Sequence, residues 1–388
     1  MFCIPSGNSQ RMGNDAGLQS WPAAPSNLGQ TVQNMNSNSK VAEYWSNLEP
    51  DRDLAGSFYT SPCMVEYKNR RAFGDEVAPE NLKGDSLALD IFLRRYVGDR
   101  PIRSVLSLCC GFGKVERYLV KRLKTVENCL GLDLAEGALR EAAKRAESEG
   151  LSIRSEIADL NSYQWPTEAY DLIIANGALH HLTNLEAVIP GMRQALRPKG
   201  VLYCCEYVGP SHQDQSVRQV ELINAAKFLL PEEWRDLRGA PYLGAEWKWK
   251  LASKVANLHR KTVAETGPLW KKLAINFGKT FLTPGKGSLG FGVVHVSPKE
   301  HLLAVDPSEG VRAAEIVPIM KRSFPDAEVR NFGGGLVQFV LGPAFYARFD
   351  PNLPAHRAYL EMLFGLEEFY SKTGEIPEEN AFIFAQKD

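Results

Sequence analysis

The strongest constraint on the fold is an alternation of strand and helix patterns between residues 101 and 206. The predicted strands are VLSLC (105–109), CLGLDL (129–134), SIRSEIADL (152–160), DLIIAN (171–176) and VLYCCEYV (201–208). The helix patterns between them are VERYLVKRL (115–123), EGALREAAKRAESEG (136–150) and LEAVIPGMRQAL (185–196). This rhythm is typical of parallel strands with helices on both faces of the sheet. The sequence therefore predicts an α/β fold built on a doubly wound, Rossmann-like sheet.

The rest of the chain is organised around this core. We predict a disordered or loosely attached segment at 1–40, a helical cover at 41–100, the core at 101–211, a helical, Trp-rich lid insertion at 212–305, and the end of the sheet with a terminal helix (356–372) at 306–388. The runs AEVRNF (327–332) and LVQFVL (336–341) are separated by three glycines, which predicts an antiparallel hairpin.

Composition excludes several classes of protein. The 388 residues carry a net charge of -1, so no global basic field attracts nucleic acid or an anionic membrane. No apolar run approaches the roughly 20 residues that span a bilayer, and no secretory signal is visible. The seven cysteines form no CxxC pair, so we expect no metal site and a reducing, cytoplasmic location.

Residues suited to binding a ligand follow the ends of the predicted strands. Gly111 and Gly113 follow the first strand, Asp133 ends the second, Asp159 ends the third, and the turn 176–178 (Asn-Gly-Ala) follows the fourth. Glycine permits a sharp turn and close approach of a ligand, and the helix that follows offers free N–H groups. Ligands of doubly wound sheets bind at the carboxyl ends of the strands. These positions together predict one ligand site.

The same stretches resemble a known family. VLSLCCGFG (105–113), GLDLAEGAL (131–139), IADL (157–160), YDLIIANGALHHL (170–182) and LRPKGVLYCCEYVGP (196–210) are similar to the motifs of class I S-adenosylmethionine-dependent methyltransferases. The resemblance covers 100–210, and less specifically 306–342. It implies a seven-stranded sheet whose last strand is antiparallel, and S-adenosyl-L-methionine as cofactor.

The resemblance also implies roles for individual residues. Gly111 and Gly113 would face the methionine end of the cofactor, Asp133 would hold the ribose, Leu134 and Leu160 would contact the adenine, Asp159 would bind the adenine amine, and Asn176 and Ala178 would line the methyl-transfer side. In YKNRRAFGD (67–75), Tyr67 could lie over the sulfonium, since cations bind aromatic faces, and Arg70 or Arg71 could bind an acidic acceptor. A solvated helix face explains the same segment.

The sequence departs from the family pattern in two places. Ser107 stands where the family has an acidic residue, and Cys109 stands where it has a further glycine. The missing carboxylate removes a partner for the methionine portion, so a non-methylating homologue stays in consideration. A dinucleotide-binding GxGxxG motif would need glycine at 116, where the chain has Glu116.

Transfer of a methyl group to a hydroxyl needs a base near the same carboxyl ends of the strands. The candidates are His180, His181, Glu206 and His212. Structural roles for these side chains, such as helix capping and core hydrogen bonding, remain the alternative.

The favoured hypothesis is a methyltransferase acting on a small molecule or glycan, at oxygen. A nucleic-acid or protein methyltransferase is the first alternative, although the fourth strand is followed by NGAL and not by an [ND]PP[YF] motif. The others are a non-catalytic cofactor-binding protein and another enzyme class that uses an altered adenosylmethionine. The terminal helix could pair with a copy of itself in a homodimer.

Overall fold

The computed structural model describes residues 41–46, 58–59, 61–231, 234, 295, 297–346 and 348–388. The segment 1–40 and most of the insertion, including Trp247, Trp249 and Trp270, lie outside these residues. The division of the chain into domains therefore stays a prediction.

A seven-stranded sheet forms the centre of the fold. Its strands are β1 (Ser104–Leu108), β2 (Asn128–Asp133), β3 (Arg154–Ile157), β4 (Tyr170–Asn176), β5 (Leu196–Tyr207), β6 (Glu328–Asn331) and β7 (Asn380–Gln386). They lie in the order β3-β2-β1-β4-β5-β7-β6. Strands β1 to β5 are parallel, whereas β7 is antiparallel to both β5 and β6. The predicted doubly wound sheet with an antiparallel last strand is confirmed.

Helices cover both faces of this sheet. They are α1 (Pro62–Phe73), α2 (Leu87–Phe92, continued by a π-helical turn Leu93–Val97), α3 (Lys114–Leu123), α4 (Glu136–Ser148), α5 (Leu185–Ala195), α6 (Val217–Leu229), α7 (Lys299–Val305), α8 (Ile316–Ser323), α9 (Val337–Val340), α10 (Pro343–Tyr346) and α11 (Pro354–Lys372). Along β4, Leu172 and Ile174 join one apolar cluster while Ile173 and Ala175 join the other. Because side chains alternate along a strand, one buried strand supplies both cores.

The predicted hairpin at 327–341 is wrong in its second strand. LVQFVL forms the short helix α9, and β6 pairs with β7, a strand that sequence reasoning did not assign. The carboxylate of Glu367 on α11 accepts hydrogen bonds from the N–H groups of Leu336 and Val337 at 2.8 and 2.7 Å. It thereby satisfies donors that the first turn of a helix leaves free. A short apolar run does not by itself distinguish a buried helix from a strand.

At the two ends of the insertion the structure describes the helices α6 and α7. Trp234 is buried and packs against Phe345, His356 and Tyr359, which is core packing. No helix in the described part of the chain has both the length and the apolar composition that crossing a membrane requires.

Candidate functional site

The loop after β1 and the end of β2 are joined by Asp133. Its Oδ2 accepts a hydrogen bond from the N–H of Gly111 at 2.9 Å, and its Oδ1 accepts one from the N–H of Ala135 at 2.8 Å. Burial raises the pKa of this carboxyl, and the two backbone donors oppose the rise. Asp133 therefore fixes the loop and the start of α4 relative to each other.

The loop leaves room for a ligand at its glycines. Gly111 and Gly113 have φ values of +52° and +68°, in the left-handed region. A Cβ at Gly111 would meet nothing within 4 Å, whereas one at Gly113 would lie 3.2 Å from the Cβ of Ala142 on α4. Cys109, which replaces a family glycine, also has a positive φ of +45°. The open space at Gly111, bordered by backbone and by Asp133, fits the adenosyl cofactor that the sequence implies.

The carboxylate of Glu116 lies next to Ser107, the residue that replaces the family's acidic residue on β1. The hydroxyl of Ser107 donates to the carboxylate of Glu116, in the first turn of α3, and both residues are buried. Burial raises the pKa of Glu116. Sequence reasoning treated Glu116 only as a departure from a glycine motif, because a contact across nine positions of a strand–turn–helix has no spacing signal.

The loop after β3 lies beside the turn that follows β4. Asp159 accepts from the N–H of Asn161 at 3.0 Å, and Asn161 in turn accepts from the N–H groups of Thr183 and Asn184 at 2.8 and 3.0 Å. Leu160 is buried and Leu134 is half-buried. The structure thus brings the strand-end residues to one edge of the sheet, and their contacts with a cofactor stay predictions.

The turn after β4 is held in place by Glu206, which lies on the neighbouring strand β5. The N–H groups of Ala178 and Leu179 both donate to Glu206 Oε1 at 2.9 Å, and Gly177 adopts a φ of +68°. Ala178 is fully buried, whereas Asn176 is exposed. The Glu206 side chain has no exposed surface, so it positions the turn and does not reach an acceptor.

Two adjacent histidines follow this turn. His180 Nδ1 lies 2.8 Å from Glu206 Oε2, and His181 Nδ1 lies 3.0 Å from Ser308 Oγ. The Nε2 atoms of the two rings face one carboxylate, Glu309, at 3.5 and 3.8 Å. We call His180, His181 and Glu309 the imidazole–carboxylate cluster. Its three ligand atoms lie within 4.8 Å of one another, a spacing that could hold a metal ion.

Opposing effects set the charge of the two rings. Burial lowers the pKa of His180, but the carboxylates of Glu309 and Glu206 outweigh it, so the net shift is upward. For His181, burial and then the charge of His180 lower the pKa. The lowered pKa favours the neutral form of the His181 ring near neutral pH.

Glu309 is the main residue that sequence reasoning missed, because it does not follow any of the predicted strands. It lies in the turn before the 3₁₀ segment Ala313–Glu315, next to Ser308, which is 127 residues beyond His181. His212, a fourth candidate base, has its Nδ1 3.1 Å from the carbonyl oxygen of Glu309 and so braces this turn.

The structure does not bring Tyr67 to the cofactor rim. Its ring is buried and stacks on Phe364 with centroids 3.9 Å apart, and its hydroxyl donates to Glu367 at 2.7 Å. With the ring stacked in the core, a sulfonium has no access to it. Arg70 pairs with Glu361 at 3.1 Å, and Arg71 pairs with Glu378.

Comparison with known proteins concerns mainly this part of the chain. Residues 105–200 match the model of a family described as "Methyltransferase domain". A sterol 24-C-methyltransferase of Gibberella zeae is 30% identical over 119 residues, which are 30% of this chain and 31% of that protein. A malonyl-[acyl-carrier protein] O-methyltransferase of Xylella fastidiosa is 32% identical over 109 residues, 28% of this chain and 36% of that protein. The chain thus spans about a third of the length of these curated relatives.

Among solved structures, phosphoethanolamine N-methyltransferase 2 of Haemonchus contortus in complex with S-adenosyl-L-methionine is 14% identical, with a TM-score of 0.38. The alignment covers 88% of this chain and 60% of that one. A likeness of this size carries no argument about activity. The family match and the seven-stranded topology agree with the strand-end motifs. Residues 105–200 are a class I S-adenosylmethionine-dependent methyltransferase domain, and S-adenosyl-L-methionine is the cofactor of this family.

Proposed function

We propose that the protein is a methyltransferase that transfers the methyl group of S-adenosyl-L-methionine to an oxygen atom of a small molecule or glycan. The observation that carries the proposal is the position of the imidazole–carboxylate cluster, directly after the turn that ends β4. In the family this turn borders the methyl group. Groups able to take a proton from a hydroxyl therefore lie where an acceptor has to be.

The proposed cofactor site uses the open space at Gly111 and the carboxylate of Asp133. Asp133 would bind the ribose, Asp159 and Leu160 the adenine, and Asn176 would face the methyl-transfer side. Glu116 would supply the carboxyl group that the family places at position 107. When bound, the cofactor supplies a methyl group on a sulfonium, and the electron pair of the broken C–S bond goes to sulfur.

The residues of the chain then have to orient the acceptor and remove its proton. His181 is the member of the cluster with a lowered pKa, so its neutral ring is available as proton acceptor near pH 7. Glu206 holds His180 and the turn in place from below. His180 and Glu206 are positioning residues in this arrangement.

A small acceptor is supported by the charge of the chain and by the relatives. The net charge of -1 gives no field for nucleic acid. By their names, the relatives act on a sterol, on phosphoethanolamine and on malonyl-[acyl-carrier protein], and the last is an O-methyltransferase. A non-catalytic cofactor-binding protein is the second candidate, and the departure at Ser107 favours it.

The test begins with cofactor binding to the full chain. Thermal shift and calorimetry would compare S-adenosylmethionine, S-adenosylhomocysteine and NAD on the wild type, on Asp133→Ala and on Asp326→Ala, an exposed carboxylate in the loop before β6, as control. A ligand at 100 times its dissociation constant stabilises a fold by about 2.7 kcal/mol. We expect both adenosyl ligands to bind the wild type and the control but not Asp133→Ala.

Turnover then separates the enzyme from a binding protein. The wild type and His181→Ala would be incubated with methyl-labelled cofactor and a panel of hydroxylated small molecules, glycans and nucleic acids. Label transfer to a small hydroxylated acceptor that falls at least tenfold in His181→Ala supports the proposal. Cofactor binding with no transfer to any acceptor supports the non-catalytic alternative. No binding of adenosyl ligands would overturn both.

A further inference from the structure

The two rings of the imidazole–carboxylate cluster are held by hydrogen bonds at their Nδ1 atoms. Ser308 Oγ donates its single proton to Asp306 Oδ1 at 2.5 Å, so towards His181 it can only accept. His181 Nδ1 therefore carries a hydrogen. Where Glu206 Oε2 accepts a hydrogen bond from His180 Nδ1, a neutral His180 has the same tautomer. In a neutral ring of this tautomer the lone pair lies on Nε2, on the side of Glu309.

The carboxylate of Glu309 faces these two nitrogens, and no described residue donates a hydrogen bond to it. The Glu309 side chain is 5% exposed. The separations of 3.5 and 3.8 Å from the two Nε2 atoms are too long for good hydrogen bonds. A buried carboxylate that faces two imidazole nitrogens is unfavourable unless a positive charge, from a ring proton or from a metal ion, lies between them.

The separations are those expected of ligands that share one ion. In a tetrahedral zinc site with bonds of about 2.0–2.2 Å, neighbouring ligand atoms lie about 3.4 Å apart. The partners of the rings also match a metal site, since a ligating histidine almost always donates its other N–H to a carboxylate, carbonyl or water. Here Glu206 fills that role for His180, and the hydroxyl of Ser308 fills it for His181.

We propose that His180 Nε2, His181 Nε2 and the carboxylate of Glu309 bind one divalent transition-metal ion, of which Zn²⁺ is the best fit. Two imidazoles and a carboxylate suit zinc and its neighbours better than Mg²⁺ or Ca²⁺, which prefer oxygen ligands. Three protein ligands leave a position open, as in catalytic zinc sites. The expectation of no metal site rested on cysteine spacing, and cysteine takes no part in this cluster.

The metal site is inferred from its geometry alone, but a catalytic role of the ion would rest on the proposed function. An ion here would lie at the rim where the acceptor oxygen has to be, and a bound ion lowers the pKa of an oxygen that it contacts. His181 would then be a ligand, and the ion would replace direct proton transfer to the ring as the means of activating the hydroxyl.

The test uses the full chain after treatment with a chelator, titrated with Zn²⁺, Co²⁺ or Mg²⁺ alone. Calorimetry gives stoichiometry and affinity, and the visible absorption of Co²⁺ reports nitrogen ligation. The variants are Glu309→Gln and His181→Ala for the ligands, and Ser308→Ala for a supporting partner. His356→Ala is the matched control, because this histidine packs against Trp234, away from the cluster. Thermal melts verify that each variant folds.

We expect one Zn²⁺ and one Co²⁺ per chain, and Mg²⁺ binding at least 100-fold weaker. Glu309→Gln and His181→Ala should each lose at least 100-fold in Zn²⁺ affinity, and Ser308→Ala about 10- to 100-fold. His356→Ala should bind as the wild type does. No Zn²⁺ binding to the wild type, or equal binding by all variants, overturns the site.

The same samples separate this inference from the proposed function. S-adenosylhomocysteine binding is measured beside Zn²⁺ binding on the wild type and on Asp133→Ala. Asp133→Ala should lose the adenosyl ligand and keep the metal. Adenosyl binding without any Zn²⁺ binding overturns the metal site alone, and Zn²⁺ binding without adenosyl binding overturns the proposed function alone.

Discussion

The hydroxyl of Ser107 on β1 donates a hydrogen bond to the carboxylate of Glu116 on α3, and both residues are 2% exposed. The second oxygen, Glu116 Oε2, has no hydrogen-bond partner among the described residues. The family pattern places a carboxyl group on the strand, and here a carboxyl group lies on the following helix, nine positions after Ser107. We propose that Glu116 takes the place of that group.

We therefore expect Glu116→Gln to weaken the binding of S-adenosylmethionine. Losing a hydrogen bond to a charged group is worth about 1.5–3 kcal/mol, which corresponds to roughly 10- to 100-fold in affinity. Calorimetric titration measures the change. The double variant Ser107→Asp with Glu116→Ala returns the carboxylate to the strand and should recover most of the affinity. Wild-type affinity in Glu116→Gln would show that this carboxylate has only a structural role.

Tyr67→Phe tests whether Tyr67 has a structural role in the core. The variant removes the hydroxyl that donates to Glu367, a buried carboxylate that also accepts from three backbone N–H groups. We expect a loss of about 1.5–3 kcal/mol in the free energy of unfolding, measured in urea, because the lost bond is to a charged group. Affinity for the adenosyl ligands should not change. A large drop in that affinity with little change in stability would indicate that Tyr67 contacts the cofactor.

Glu379 should make stability depend on pH. Burial raises the pKa of its carboxyl to about 8, with the charge of Glu367 adding to the rise while hydrogen bonds from Gln219 and Tyr207 oppose it. Between the unfolded pKa of about 4.3 and the folded value, only the folded chain holds this proton. Its contribution to stability is therefore full at low pH and is lost as pH rises through about 8.

The measurement is the melting temperature of wild type and Glu379→Gln from pH 5 to pH 8.5. The amide cannot ionise, so the stability of the variant relative to wild type should increase steadily with pH. Asp326→Asn, at an exposed position in the loop before β6, serves as control for a changed net charge. A difference between wild type and Glu379→Gln that stays constant over the range would contradict the raised pKa.

Gly191 on α5 should not tolerate a methyl group. A Cβ there would lie 2.3 Å from Cδ1 of Trp165, so the indole has to move. We expect Gly191→Ala to lower the free energy of unfolding by about 1–3 kcal/mol, the usual result of overpacking a core. At Gly365, on α11, a Cβ would meet nothing within 4 Å. Gly365→Ala should instead stabilise the fold by about 0.5–1 kcal/mol. Equal effects of the two substitutions would mean that the indole moves freely.

The core of the fold was accessible from the sequence because its signals are local. β1, β2, β4 and β5 contain apolar runs, and the helices between the strands have their own periodicity, so the parallel sheet follows without any distant contact. In the C-terminal part of the chain, local sequence patterns did not distinguish strand from helix. NAFIFAQ and LVQFVL are both short apolar runs, and only the first became a strand, because β7 fits between β5 and β6 while Glu367 holds the other run as a helix.

For the site, the sequence by itself determined which residues stand at the strand ends, since Gly111, Asp133 and Asn176 follow directly from the chain order of the strands. Only the tertiary structure decided which side chains meet there. Glu116 reaches Ser107, Glu309 reaches the two histidines, and Tyr67 packs in the core away from the rim. The physical reason is that strand ends are set by local backbone pattern, whereas the pairing of buried polar groups depends on which elements the folded core brings together.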